Sequence, residues 1–237
     1  MPQVRGQPLL CETHLYDTRG HARSEALPHE HAYGWDCLVS DFGDVVGKAQ
    51  KNARVSGAHK PVVGGLSLGA ATALFWTLEH RELVSGLVLA AYPECSPQVR
   101  KWAVDFADRI DANGLDSAGH HFVWGPQGRF CQEDAQLVRR GFLQHSPLAI
   151  SSILRNSLGQ IPDIPTLVPA LTHLQLPVLV VVGSRDESSM SASREIVRAL
   201  PNVRLAVIEG AGHVVNLSRP GAFNQIVANF MAICASS

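Results

Sequence analysis

One stretch constrains the fold of this 237-residue chain more than any other: Lys60-Pro61-Val62-Val63-Gly64-Gly65-Leu66-Ser67-Leu68-Gly69-Ala70. It reads as a short buried strand, a tight turn with Ser67 at its tip, and the start of a helix. The turn spells G-x-S-x-G, a pattern that holds a serine in a strained bend with its hydroxyl clear of the sheet. Gly65 and Gly69 are expected to leave room where strand and helix pass close together. The helix N-terminus beneath Ser67 offers N–H groups to a developing negative charge. The same five residues also describe a Gly-rich strand-to-helix connection with an incidental serine. The motif gains chemical meaning only if later strands end in a base and an acid.

Those later strands are legible. Leu83 to Ala91 is an apolar run broken only by Ser85 and Gly86, the pattern of a strand buried on both faces of a parallel sheet. Leu176-Pro177-Val178-Leu179-Val180-Val181-Val182-Gly183 is a β-branched run entered through proline and closed by glycine. Val203 to Ile208 reads as the last strand, and it leads into Glu209-Gly210-Ala211-Gly212-His213. Helices are expected between the strands. Val39, Phe42, Val45, Val46, Ala49 and Ala53 recur at helical spacing, with Ser40 as N-cap and an end near Gly57. A second runs from about Ala70 to His80. A third runs from Ser189 to Leu200, capped by Ser188 or Ser189. A final helix places Phe223, Ile226, Val227, Phe230, Met231 and Cys234 on one face.

Residues 96 to 170 differ in character, with helical patterns, long polar faces and no buried strand. The predicted organisation is a core of residues 1–95 and 171–237, with 96–170 as a helical cap. Trp102, Phe122, Trp124, Phe130 and Phe142 are candidates for an apolar substrate wall, or else for the interior of the cap itself. His120, His121 and His145 read as surface or hydrogen-bonded core histidines. His29 and His31 lie in a polar loop, and no third metal ligand accompanies them.

Charge and cysteine usage narrow the function classes. A formal net charge of -1 gives no electrostatic footprint for nucleic acid or an anionic membrane. No apolar run approaches a membrane span, and Met1-Pro2-Gln3-Val4-Arg5 lacks the apolar core of a signal peptide. The five cysteines (Cys11, Cys37, Cys95, Cys131, Cys234) are scattered and in no metal spacing. They read as reduced packing thiols in a cytoplasmic protein.

Near the start, Tyr16-Asp17-Thr18-Arg19-Gly20-His21-Ala22-Arg23-Ser24 resembles the D-x-R-G-x-G-x-S signature of α/β-hydrolases, with Ala22 in place of the usual glycine. Leu15-Tyr16-Asp17 reads as the end of a strand. With Gly65-Leu66-Ser67-Leu68-Gly69 and Gly210-Ala211-Gly212-His213, it makes the chain similar to 3-oxoadipate enol-lactonases and related carboxylesterases. The resemblance runs from about Leu15 onward and is thin in the cap. It implies an α/β fold: a mostly parallel sheet with helices on both faces and a helical cap insertion. It also places the acid in G-x-x-D, at Asp186, with Glu187 as the fallback.

Ser67, Asp186 and His213 follow separate strands in the order nucleophile, acid, base, as in α/β-hydrolases. In a parallel sheet all three would project from one edge. His213 would take the proton of Ser67, and Asp186 would orient the imidazole and stabilise the imidazolium. The expected reaction is hydrolysis of a small-molecule ester or lactone through an acyl-enzyme, with no metal or organic cofactor. A silent binding protein, a cofactor-free perhydrolase and a C–C bond hydrolase are the alternatives. One oxyanion donor should be the N–H of Leu68. The other normally comes from a His-Gly loop after an earlier strand, and the fifteen residues before Tyr16 contain no such turn. The fold therefore reads as N-terminally shortened, with residues 1–12 replacing the strand or the chain a truncated copy.

Overall fold

The structure is a computed structural model that describes residues 11–56, 60–126 and 132–236. Among these residues, four strands form one parallel sheet in the order β1 (Val62–Leu66), β2 (Gly86–Ala90), β3 (Val178–Gly183), β4 (Val203–Ile208). The register runs Leu66 to Ala90, Ala90 to Val181 and Gly183 to Ile208, which aligns the C-terminal ends along one edge. β2 and β3 are buried at every position. That burial is why both read as unbroken apolar runs rather than alternating ones.

Alternate strand residues face two apolar layers. Leu87, Leu89, Val178 and Val180 pack with Phe42 of α1 (Trp35–Ser56), Leu74 of α2 (Leu68–His80) and Ile196 of α7 (Glu187–Ala199). Val88, Ala90, Leu179 and Val181 pack on the other face with Phe230 and Cys234 of α9 (Pro220–Cys234), which follows the short α8 (Val215–Ser218). The sheet thus carries helices on both faces.

Between β2 and β3 every element among the described residues is helical. These are α3 (Pro97–Gly119), broken at Gly114 where φ is +77°, a π-turn at His120–Trp124, α4 (Gln132–Phe142), α5 (Pro147–Asn156), a 3-10 turn at Leu158–Gln160 and α6 (Ile164–Leu171). Phe106, Ile110, Val123, Ile150 and Leu154 form an apolar cluster of their own. Ile161, Ile164 and Leu171 instead join the sheet's core.

Three local expectations are corrected. Leu15-Tyr16-Asp17 is not a strand end: residues 11–18 carry no strand, and Leu15 is 90% exposed. Among the described residues no strand lies beside β1 on its outer side, so this segment has no ladder to join. Side chains hold it instead. Arg19 makes a two-pronged ion pair with Asp41 of α1 (both 2.6 Å) and donates to the Ala32 carbonyl at 2.7 Å. Ser24 donates to the Asp17 carbonyl. Second, α1 begins at Trp35, so Ser40 lies inside the helix rather than capping it. Third, α7 is capped by Asp186, whose carboxylate accepts the Ser189 N–H at 3.3 Å. Residues 1–10, where most of the replacement strand was expected, lie outside the described residues.

Candidate active site

Ser67 sits between β1 and α2 with φ +52° and ψ −115°, a backbone region that non-glycine residues rarely occupy. Its N–H is tied to the Ala90 carbonyl at 2.9 Å, and its own carbonyl accepts from Ala70 and Ala71. The bend is fixed at both ends and held in strain. The expectation about its glycines holds for one of the pair. A Cβ on Gly65 would meet the Gly69 carbonyl carbon at 2.3 Å, whereas a Cβ on Gly69 would meet nothing within 4 Å. Gly65 therefore makes the close approach, and Gly69 supplies only the backbone it approaches. Leu68 is the first residue of α2, so its N–H is among those without an intrahelical partner.

β3 and β4 deliver the other two side chains. Arg185 N–H donates to the Ala211 carbonyl at 3.0 Å, and Ser184 N–H to the Ile208 carbonyl, clamping the two turns together. This crossing requires Gly183, where a Cβ would lie 2.3 Å from the Ala211 oxygen. Asp186 is buried, and its Oδ2 lies 2.7 Å from His213 Nδ1. A carboxylate only accepts, so that nitrogen carries the proton. Ser189 Oγ lies 3.3 Å from the same nitrogen. Burial pushes the Asp186 carboxyl up, but the hydrogen bonds and charge of His213, joined by Ser189, outweigh it and hold it below its ordinary value. Glu187, the fallback acid, is exposed at the start of α7.

Ser67, Leu68, Asp186 and His213 line one cavity of about 520 Å³. Of the expected aromatic wall, Trp102 and Phe142 line it. Trp124 and Phe122 do not: both pack into the cluster around Phe106, Trp124 edge-on to Phe142 at 5.6 Å and stacked over Gly119. Phe130 lies outside the described residues, as does Cys131. The sequence reading missed Phe106, Ile150 and Leu154, whose helical spacing signalled burial without saying against what. It also missed His21, His145 and Arg185 as lining groups. The Gly20-His21 turn was a visible signal for His21 alone. His29 and His31 stack on each other at 5.4 Å, and among the described residues no group of three metal-ligating side chains gathers anywhere.

A sequence model of the alpha/beta hydrolase family matches residues 2–226. The chain belongs to the alpha/beta hydrolase family. Among curated relatives of this hydrolase, a 2-succinyl-6-hydroxy-2,4-cyclohexadiene-1-carboxylate synthase of Yersinia pestis is 26% identical over 233 residues, covering 92% of this chain and 77% of the relative. Among solved structures, a thermophilic esterase from Thermogutta terrifontis superposes with a TM-score of 0.76 at 21% identity, covering 92% of this chain and 79% of that one. The enol-lactonase from Burkholderia xenovorans LB400 gives 0.70 at 23% identity, covering 92% and 79%. At these identities the structural likeness speaks for the fold.

Proposed function

We propose that this alpha/beta hydrolase cleaves a small-molecule carboxylic ester or lactone through an acyl-enzyme, with Ser67 as nucleophile, His213 as base and Asp186 as its orienting acid. One observation carries the reading: the imidazole that Asp186 grips through Nδ1 at 2.7 Å lines the same cavity as the strained serine. With Nδ1 committed to the carboxylate, Nε2 is the nitrogen left to take the serine proton and return it to the leaving group. The Leu68 N–H at the head of α2 serves as one oxyanion donor, acting where negative charge develops. Helices α3 to α5 act as the cap, with Trp102 and Phe142 lending an apolar wall that excludes water. The scattered thiols and the absence of a membrane-crossing helix among the described residues fit a cytoplasmic location.

A fluorophosphonate probe tests this directly. Labelling should occur at Ser67 and be lost in Ser67→Ala and strongly slowed in His213→Ala. Folded wild-type protein that takes no label rejects the proposal.

The Yersinia relative's name favours a second reading, in which the same three residues serve a synthase reaction on a carboxylated ring. The cavity's charges weigh against it. Among the described lining residues Arg185 is the one Arg or Lys, and Glu94 and Glu187 line the same cavity, a poor match for a substrate bearing several negative charges.

A further inference from the structure

The cavity holds two imidazoles beyond His213. His21 comes from the loop after Asp17, and His145 from the turn before α5; both are lining residues. Their ring centroids are 4.5 Å apart, and Phe142 packs against His145 at 5.9 Å. Each ring has its Nδ1 committed to the backbone of the same short loop, but with opposite polarity. His145 Nδ1 lies 3.0 Å from the Ala22 N–H. An amide can only donate, so this nitrogen carries a lone pair and the neutral ring carries its proton on Nε2. His21 Nδ1 lies 3.2 Å from the Arg19 carbonyl, which can only accept. That nitrogen carries the proton, and Nε2 is left with the lone pair.

Both rings are also held neutral. Burial pushes His21 below its ordinary value despite the Arg19 carbonyl, Asp17 and the Thr18 carbonyl, which act the other way. Burial and then the proximity of His21 push His145 down to about 4, again against Asp17. The hydrogen bonds that orient the two rings reach Nδ1. With each Nδ1 engaged by the loop, Nε2 is the nitrogen each ring has to offer a ligand in the cavity that both rings line. One is a donor and the other an acceptor.

We propose that His21 and His145 form a subsite that binds a hydroxyl group of the substrate, which accepts from His145 Nε2–H and donates to His21 Nε2. The proposal rests on the hydrolase reading and names its substrate class: an apolar ester or lactone carrying a hydroxyl. A carboxylate offers only acceptors and would set a lone pair against His21 Nε2. An ammonium would set a proton against His145 Nε2–H. A hydroxyl satisfies both without charge, which suits the apolar part of the lining, Trp102, Phe106, Phe142 and Ile150.

The test compares p-nitrophenyl esters of straight-chain acids of two to six carbons with their hydroxylated and carboxylated counterparts. At least one hydroxylated ester should exceed its plain counterpart at least fivefold in kcat/KM, and the carboxylated esters should fall below both. In His145→Phe and His21→Phe the hydroxyl preference should drop to near one, and His145→Gln, which keeps an N–H donor, should retain part of it. A best preference under fivefold, or one that survives His145→Phe in protein that melts like wild type, overturns the subsite. Long-range nitrogen–proton NMR of the wild type needs no variant to fold: His145 Nδ1 should be unprotonated at neutral pH and His21 Nδ1 protonated, and the reverse overturns the proposal. If no ester is turned over at all, the hydrolase reading fails separately. The subsite is then judged by calorimetric binding of 3-hydroxybutyramide against butyramide, where equal affinity overturns it.

Discussion

Asp186 grips His213 at 2.7 Å with one carboxylate oxygen while the other caps α7 by accepting the Ser189 N–H at 3.3 Å. One side chain thus fixes both a helix start and the orientation of an imidazole. The two jobs separate by substitution. Asn is as good an N-cap as Asp, whereas Ala is not and costs about 1 kcal/mol. Asp186→Asn should keep the helix cap, and so a higher urea midpoint than Asp186→Ala, while losing roughly 10³–10⁴-fold in ester turnover through loss of the fixed tautomer. Asp186→Ala should lose both activity and about 1 kcal/mol of stability.

The same carboxylate gives a pH signature. Its pKa in the fold is held below the ordinary carboxylate value of about 3.9. A depressed carboxylate contributes stability above its unfolded pKa, and that contribution disappears as pH falls through the folded value. Chemical denaturation from pH 6 down to pH 2 should therefore show stability falling below about pH 4. The fall should be shallower in Asp186→Asn, which has no proton to take up.

The two glycines of the elbow should respond with opposite signs. Gly65→Ala drives a methyl to 2.3 Å from the Gly69 backbone, which cannot move without shifting Ser67. Such overpacking costs about 2–3 kcal/mol. Gly69→Ala meets open space in the first turn of α2 and should gain about 0.5 kcal/mol from helix propensity. Urea midpoints of the two variants check the contrast.

Ala22 occupies the position where the family signature carries glycine, and its φ is +41°. An alanine held there bears about 1 kcal/mol of strain. Ala22→Gly should raise the thermal midpoint modestly, since glycine's larger unfolded-state entropy offsets part of the gain. The Ala22 N–H that His145 accepts is retained, so the hydroxyl preference of the cavity should persist.

How much of this was legible follows from what burial does to a sequence. β2 and β3 are covered on both faces, so Leu87–Ala90 and Val178–Val182 read as strands without help. The turns at Ser67, Asp186 and His213 stood out because β1, β3 and β4 each meet glycine there, at Gly65, Gly183 and Gly210. The start of α1 was not legible, because the polar, His- and Pro-containing stretch before Trp35 looks like loop while Tyr33 and Leu38 are wholly buried. Leu15–Asp17 looked like a strand end ahead of the turn at Thr18–Ser24, yet a strand exists only through a partner. The His21–His145 pair was invisible for a related reason. Its meaning lies in two backbone atoms, the Arg19 carbonyl and the Ala22 amide, that only the folded loop brings to the rings.

Strain at Ser67 yields the sharpest separation of stability from activity. With φ +52° and ψ −115°, the residue bears a conformational cost of about 1–2 kcal/mol that any Cβ carries and glycine does not. Ser67→Ala removes the hydroxyl but keeps the Cβ, so it should lose probe labelling with little change in melting temperature. Ser67→Gly should lose labelling equally yet gain about 1 kcal/mol, less whatever glycine forfeits in unfolded-state entropy. The comparison therefore isolates the bend from the chemistry. A Ser67→Gly protein that melts below Ser67→Ala by the full entropic cost of glycine, about 0.5–1 kcal/mol, would mean that the elbow stores no strain, and that its geometry is the relaxed choice of the surrounding β1–α2 packing.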